Sequence, residues 1–219
     1  MMQLLLVVLL SYLVGSIPTS IIVTRWVKGI DIRSVGSGNA GGTNVARTLG
    51  WHYGAFVILF DGAKGFFASA VIAPLAMVHL FSFLDLPLHS IVLSQILAGS
   101  AAVAGHVWTV FANFRGGKGV STAAGMMLAV SPVEVLVSLL VFAIVIIISR
   151  YVSLGSVSAA VAFPLVLIIR ENVFGVRIAE YHTMLVVSLL LSVFLVYTHR
   201  ANIKRLIEGR EHRLERLRS

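Results

Sequence analysis

The chain contains no cysteine, which excludes disulfide bonds and thiolate metal sites. It also lacks any lysine or arginine before Arg25, so its first apolar stretch does not have the charged start of a secretory signal and is expected to remain as a helix. The chain also has too few polar residues for a soluble domain, because 58% of its 219 residues are hydrophobic, against roughly half in soluble domains. The excess must face lipid, and the sequence predicts a single membrane domain over residues 1–219.

Six apolar stretches separated by short polar connectors predict the membrane helices. They are residues 1–24, 51–83, 90–114, 120–149, 152–169 and 178–197. A spanning helix needs about 20 residues, so the fourth stretch is too short to cross twice with full spans. Pro132 suits the first turn of a helix and blocks a helix interior, which predicts a break at Ser131 into a short and a longer helix. The expected fold is all-α and polytopic with seven transmembrane helices; a single kinked helix over 120–149 would give six.

Basic residues are concentrated in four connectors, and this pattern predicts the orientation. These connectors are residues 25–50, 115–119, 150–156 and the chain after Thr198. By contrast, the connectors near 85–89 and 171–177 are less basic or mixed in charge. Lysine and arginine favour cytoplasmic loops. We therefore expect the amino terminus outside, and the carboxyl terminus with its charged tail, 208–219, in the cytoplasm.

The first basic connector contains the string SVGSGNAGGTN at residues 34–44, followed by Arg47. Glycines let consecutive backbone N–H groups turn inward around an anion, and Ser37 and Asn39 add neutral donors. Arg47 can add a bidentate contact to phosphate. A G-x-G-x-x-G match inside this string does not indicate a dinucleotide-binding fold, because the chain has no strand pattern. The string predicts an anion site, with a flexible polar turn as the alternative.

The second basic connector reads RGGKG and opens a helix. A helix amino terminus favours an anion, so Lys118 with Ser121 and Thr122 would complete a phosphate cradle. The likeness to a nucleotide-binding P-loop is superficial, because Gly119 occupies the position of the hydroxyl residue. His106 precedes this loop on an apolar helix. It is either a hydrogen-bonded core residue or a group that orients or deprotonates a hydroxyl.

Asp61 and Lys64 lie three residues apart inside the second apolar stretch and are expected on one helix face. Two interpretations are open. The pair neutralises itself and packs the bundle, or Asp61 positions Lys64 towards phosphate. The string also begins like the aspartate motif of CDP-alcohol phosphotransferases, but the later aspartates of that two-metal site are absent.

Three strings resemble, in order, the signature regions of the bacterial acyl-phosphate:glycerol-3-phosphate acyltransferases, the PlsY family. They are SGNAGGTN at 37–44, GHVWTVFANFRGGKGVST at 105–122 and HRANIKRLIEGRE at 199–211. The resemblance implies transfer of a fatty acyl group from acyl phosphate to the 1-hydroxyl of glycerol 3-phosphate. The products are lysophosphatidic acid and inorganic phosphate, in the first step of phospholipid biosynthesis. It also implies a bacterial inner-membrane enzyme with a cytoplasmic active site. No His-x4-Asp occurs, which argues against the acyl-CoA or acyl-carrier class.

The resemblance also implies roles for individual residues and partners. The expected catalytic residues are Ser37, His106 and Lys118. The expected substrate-binding residues are Gly38, Asn39, Gly41, Asn44, Arg47, Lys64, Gly116, Gly117, Gly119, Ser153, Asn202 and Glu211. No metal or cofactor is expected, and the hydroxyl proton goes either to His106 or to a substrate phosphate oxygen. The partners are both substrates and membrane lipids, not nucleic acid; the oligomeric state is open, a monomer being one option.

Two other classes of protein remain as alternatives. An organic-phosphate or anion transporter would also need many helices and cationic side chains. Transporters typically carry internal repeats and midplane binding residues, and no repeat is visible here. A noncatalytic scaffold that binds anionic lipid would need only the basic tail, which leaves the internal motifs unused.

Overall fold

The computed structural model describes residues 2–77 and 90–214, and every regular element over these residues is helical. The predicted outer connector near 85–89 and residues 215–219 of the tail lie outside the described residues. The α-helices of the described chain are α1 (Met2–Gly15), α2 (Thr19–Lys28), α3 (Gly42–Leu49), α4 (Trp51–Phe67), α5 (Ile91–Val107), α6 (Val120–Val130), α7 (Pro132–Ser149), α8 (Val152–Asn172), α9 (Tyr181–Thr198) and α10 (Arg200–Ile207). A π-turn, Ala68–Ile72, and a 3-10 turn, Ala73–Met77, extend α4.

Six helical segments of the described chain are long and apolar enough to cross a membrane. They are Gln3–Lys28, Trp51–Leu75, Ile91–Ala112, Pro132–Ser149, Val152–Asn172 and Tyr181–Thr198. The predicted break at Ser131 is confirmed, because that residue has non-helical backbone and Pro132 begins α7. However, α6 has only 11 residues, fewer than a full span needs. Seven crossings and the orientation of the termini therefore stay predictions.

The first apolar stretch contains two helices rather than the one expected. α1 ends at Gly15, and α2 begins after Pro18, which cannot donate the backbone hydrogen bond of a continuous helix. The interruption leaves the carbonyl groups of Gly15 and Ile17 without helical partners, and both accept hydrogen bonds from a side chain of α4. The break thus creates a polar position inside an apolar segment.

The described chain forms two compact units, Met1–Val130 and Ser131–Ser219. The prediction of a single domain stays a prediction. In the first unit, glycines allow very close helix packing. A Cβ atom at Gly15 of α1 would lie 2.1 Å from the carbonyl oxygen of Ala102 in α5, and one at Gly65 of α4 would lie 1.9 Å from that of Thr122 in α6. Small residues at such crossings are typical of helix association in lipid.

The first connector is anchored by an apolar cluster rather than left as a loose turn. The buried members of the cluster come from α2, α3, α4 and the loops near them: Ile21, Val23, Ile32, Ala40, Val45, Val57 and Ala112. Burial of an aliphatic side chain contributes roughly 1.5–3 kcal/mol. The cluster therefore fixes the loop that carries the glycine-rich string.

The second unit contains α7 to α10, with α7 packed on α8 and α8 on α9. A buried ion pair joins Glu134 of α7 to Arg170 of α8, and Ser131 donates to the second carboxylate oxygen of Glu134. Glu134 is only 1% exposed, so its charge requires these partners. The outward faces of these helices are apolar, as expected for contact with lipid.

Candidate active site

A buried ion pair lies at the break between α1 and α2. Lys64 Nζ lies 2.8 Å from Asp61 Oδ1, and both side chains are less than 5% exposed. The ammonium group also donates to the carbonyl oxygens of Gly15, at 3.2 Å, and Ile17, at 2.8 Å. These three acceptors match the three N–H donors of a lysine. The geometry supports the interpretation of a self-neutralising pair that packs the bundle.

His106, in the last turn of α5, contacts this pair through one ring nitrogen. Its Nδ1 lies 3.5 Å from Lys64 Nζ and 3.7 Å from Asp61 Oδ1. Thr19 donates to the same carboxylate oxygen at 3.0 Å. Nδ1 therefore lies beside both the Lys64 ammonium, whose three hydrogens have the three acceptors named above, and the Asp61 carboxylate. The buried pair therefore orients the imidazole.

The second glycine-rich loop folds back onto the end of α5. The N–H groups of Gly116 and Gly117 donate to the carbonyl oxygens of Val107 and His106, at 3.0 and 3.1 Å. A Cβ atom at Gly117 would lie 2.3 Å from His106 Nε2 and 2.8 Å from the carbonyl oxygen of Ala40, in the first loop. A cavity of about 10 Å³ is bounded by both loops and His106. The two glycine-rich loops thus meet at this histidine.

Asn44 shapes the first loop from inside. Its side chain is 1% exposed, and its Oδ1 accepts from the backbone N–H of Ser37 at 3.0 Å. Its Nδ2 lies within 3.1 Å of the carbonyl oxygens of Ile32, Val35 and Asn39. The two hydrogens of Nδ2 have three acceptors within reach, so the donor side of the amide is fully occupied by the loop. Asn44 is therefore placed to position the loop, with any effect on a substrate passing through its neighbours.

Three predicted residues of the two loops have side chains that are partly or fully exposed to solvent. Ser37 is half-buried, and only its backbone N–H has a hydrogen-bond partner among the described residues. Lys118 is half-buried just before α6, after the two glycines that pair with α5. Arg47 lies on the exposed side of α3. Gly38, with φ of +70°, and Gly119, with φ of +85°, adopt backbone that favours glycine.

In the second unit, two predicted residues, Ser153 and Asn202, bind the carboxylate of a third, Glu211. Glu211 Oε1 accepts from Ser153 Oγ at 3.0 Å and from Asn202 Nδ2 at 2.7 Å, and Arg205 Nε donates to Oε2 at 2.7 Å. Burial alone would raise the pKa of Glu211, but the hydrogen bonds from these three side chains outweigh it and lower the pKa. The network fastens the chain after α10 to α8.

The sequence model of the glycerol-3-phosphate acyltransferase family matches residues 5–209. The chain belongs to this family. The glycerol-3-phosphate acyltransferase of Chlorobaculum tepidum is 48% identical over 230 residues, covering 98% of this chain and 97% of that protein. That of Chlorobaculum parvum is 46% identical over 230 residues, with the same coverage.

Solved structures agree with the family. The chain matches PlsY (YgiH), an integral membrane glycerol 3-phosphate acyltransferase, in its glycerol 3-phosphate form, with a TM-score of 0.80 and 38% identity over 98% of this chain and 96% of that one. The lysophosphatidic acid form gives 0.78 and 37%, with the same coverage. The resemblance inferred from the three strings is confirmed. This glycerol-3-phosphate acyltransferase is an integral membrane enzyme, and its family implies phospholipid synthesis.

Sequence reasoning about the acyltransferase missed several polar residues that the fold joins. Thr19 supports Asp61, Arg33 links the two glycine-rich loops, and Glu134 pairs with Arg170. For Thr19 alone the sequence offers a signal, because Pro18 predicts the end of a helix directly before it. Within residues 2–77 and 90–214, no three His, Asp or Glu side chains converge to hold a metal ion. A metal-free reaction stays a prediction.

We expect Glu211→Gln to lower the melting temperature of the acyltransferase at pH 7, because hydrogen bonds to a charged group contribute about 1.5–3 kcal/mol each. The folded pKa of Glu211 is lowered, so this contribution is present above the ordinary glutamate pKa and is lost as pH falls through the folded value. Wild type and variant should therefore converge on acidification. Glu208→Gln, in the exposed pair with Arg210, is the control and should change little. A difference in melting temperature between wild type and Glu211→Gln that is independent of pH would contradict the role of the charged Glu211 carboxylate in stability.

Proposed function

We propose that the enzyme transfers a fatty acyl group from an acyl phosphate to the 1-hydroxyl of glycerol 3-phosphate, releasing lysophosphatidic acid and inorganic phosphate. The observation that carries the proposal is the meeting of two glycine-rich loops at His106. One loop offers neutral donors, and the other leads into a helix amino terminus beside Lys118; both suit phosphate groups. Each substrate carries one phosphate. The names of the relatives support the acceptor, and the two forms of PlsY support the acceptor and the product.

The proposed roles of the charged residues follow from their charge and from the solvent exposure of their side chains. Lys118 and Arg47 neutralise phosphate, and the Ser37 hydroxyl with nearby backbone N–H groups stabilises the charge that develops on the carbonyl oxygen. Gly38, Asn39, Gly41, Gly116, Gly117 and Gly119 set the shape of the two loops that hold the phosphates. The N–H groups of Gly116 and Gly117 are themselves bonded to the end of α5, so these two glycines act through the position of the loop. We assign Lys64 and Asn44 to positioning, because the protein itself occupies their polar groups. Ser153, Asn202 and Glu211 position the end of the chain in the same way.

In the proposed reaction, the 1-hydroxyl oxygen attacks the carbonyl carbon of the acyl phosphate, and the bond from that carbon to the phosphate oxygen breaks. The leaving phosphate accepts the electron pair of that bond. We propose that a phosphate oxygen also accepts the hydroxyl proton, because the leaving phosphate is itself a base and His106 is held against the buried pair of Asp61 and Lys64. In this proposal the neutral His106 ring donates to a substrate oxygen from beside Gly117 and takes no proton.

The donor is tested with purified protein in detergent, given palmitoyl phosphate with and without glycerol 3-phosphate. Phosphate release that needs both substrates, together with formation of lysophosphatidic acid, is the expected result. Turnover with acyl-CoA in place of palmitoyl phosphate would overturn the donor assignment. Uptake of labelled glycerol 3-phosphate into sealed vesicles without any donor, and no transferase activity, would favour the transporter instead.

We also propose a single domain in the bacterial inner membrane, with seven crossings, the amino terminus outside and the site at the cytoplasmic face. The cysteine-free chain allows single cysteines to be introduced for labelling. Val133→Cys should react with an impermeant reagent from outside and Ser34→Cys only from inside, both positions being exposed. Protection of position 133 from both sides would favour six crossings.

We expect His106→Ala to keep the acidic limb of the dependence of kcat/KM on pH. With a phosphate oxygen as proton acceptor, this limb reflects the second ionisation of the phosphate, near a pKa of about 6. The loss in rate should stay within about tenfold, since only an orienting donor is removed. A histidine base would contribute about 10²–10⁴-fold, and its removal would abolish the limb. Exposed His52→Ala is the matched control and should behave as wild type.

A further inference from the structure

Arg33 joins the two glycine-rich loops through a single guanidinium group. Its Nη2 and Nε donate to the carboxylate of Asp31 at 2.7 and 3.0 Å. Its Nη1 donates to the carbonyl oxygen of Ala112 at 2.8 Å and lies 3.4 Å from that of Arg115. Residue 33 belongs to the first connector, and residues 112–115 lead directly into the second loop. One side chain therefore spans the two segments.

The segment that Arg33 holds has an unusual backbone. Asn113 and Phe114 both adopt positive φ angles, of 56° and 57°. This conformation is disfavoured for a bulky side chain and persists where the surroundings hold it. The two carbonyl groups that Arg33 binds flank this pair on either side. The next two residues are the glycines that pair with the end of α5, so the position of this turn fixes the start of the second loop.

Asp31 holds the guanidinium in place. Besides the bidentate contact, its carboxylate accepts from the backbone N–H of Arg33 at 3.0 Å and from Arg25 at 3.2 Å. The hydrogen bond from Arg33 holds the pKa of Asp31 down at about 2, so the carboxylate is charged at any physiological pH. Both side chains line a cleft of about 540 Å³ together with Ser34, Asn113 and Arg115. The pair is a fixed, charged support at the junction of the loops.

We propose that Arg33 is a positioning residue of the transferase, which sets the loop of Lys118 against the loop of Ser37. This inference rests on the proposed function of the two loops. The planar guanidinium group is required, because its three nitrogens donate hydrogen bonds in two directions at once, towards a carboxylate and towards backbone carbonyl groups. A lysine offers a single ammonium and cannot reproduce this geometry.

The kinetic test compares Arg33→Gln and Arg33→Lys with Arg25→Gln, in the full-length enzyme. Arg25 also binds Asp31 but makes no described contact with the second loop, so it is the matched control. Both changes at Arg33 should raise the KM for glycerol 3-phosphate at least tenfold with a smaller change in kcat, because misplaced loops lose uniform binding of phosphate. Arg25→Gln should stay within twofold of wild type. Full activity of Arg33→Lys, or equal effects at both arginines, would overturn the proposal.

A second test measures the loops directly and does not depend on activity. Spin labels at Ser34→Cys and Phe111→Cys, both exposed, report the distance between the connectors in this cysteine-free chain. The distance distribution should broaden in Arg33→Gln and stay narrow in Arg25→Gln, with helical content unchanged. An unchanged distribution in Arg33→Gln would overturn the proposal. Absence of transferase activity in the wild-type enzyme would instead count against the proposed function, and the spin-label result would still decide the role of Arg33 in joining the loops.

Discussion

Replacement of Lys64 with methionine alone should destabilise the enzyme by about 3–5 kcal/mol, because it leaves the Asp61 carboxylate as an uncompensated buried charge. It also removes the donor for two carbonyl groups at the break between α1 and α2. The double variant Asp61→Asn/Lys64→Met removes both charges. It should recover much of the lost stability, because neither ion then has to be desolvated. Reversible unfolding in detergent, followed by circular dichroism, measures both differences.

The same double variant separates the two interpretations of Lys64. If the lysine only packs the bundle and orients His106, the KM for glycerol 3-phosphate should stay within about threefold of wild type, while kcat falls. If it bound a substrate phosphate, a stable double variant would still lose affinity, since a charge-assisted contact contributes about 1.5–3 kcal/mol. An increase of more than tenfold in KM would therefore return Lys64 to the phosphate site. Lys118→Met provides the comparison, because its KM should rise.

Local sequence patterns predicted those features of the fold that depend on neighbouring residues. The break at Ser131 follows from the chemistry of Pro132, and the contact between Asp61 and Lys64 follows from helical spacing. Spacing did not reveal how the lysine is satisfied, because its acceptors lie 47 and 49 residues away, at a second break. The predicted first helix is too long for a local reason, because the apolar composition continues across Pro18, where the helical hydrogen bonds stop.

The roles of the polar site residues were harder to predict, because they depend on contacts between distant segments. Ser153 and Glu211 are 58 residues apart and meet in one network, and Arg33 reaches a carbonyl group 79 residues away. The sequence of a motif does not distinguish a polar residue that faces a substrate from one that faces a backbone carbonyl group. Asn44 is an example. The sequence predicts that it binds substrate, whereas in the structure its amide donates to backbone carbonyl groups of its own loop.

Gly117→Ala should lower kcat/KM for glycerol 3-phosphate by at least 100-fold. The added Cβ atom would lie 2.3 Å from His106 Nε2 and 2.8 Å from a backbone carbonyl oxygen, and separations under 3.0 Å force something to move. The hydrogen bond from the Gly117 N–H to the end of α5 resists such a movement. The loop must shift as a whole, and Lys118, the next residue, shifts with it. Misplacement of a charged group by about 1 Å costs on the order of 10²-fold in rate.

Gly62→Ala is the matched control, because its added Cβ atom would meet only the carbonyl oxygen of Ser121, at an ordinary 3.5 Å. It should keep wild-type activity and, as a helical alanine, gain up to about 1 kcal/mol in stability. A second arm combines Gly117→Ala with His106→Ala. Removal of the imidazole relieves the closer of the two overlaps, so the double variant should be more stable than Gly117→Ala alone. Wild-type activity of Gly117→Ala, or additive losses of stability in the double variant, would mean that the loop does not close against His106 in the working enzyme.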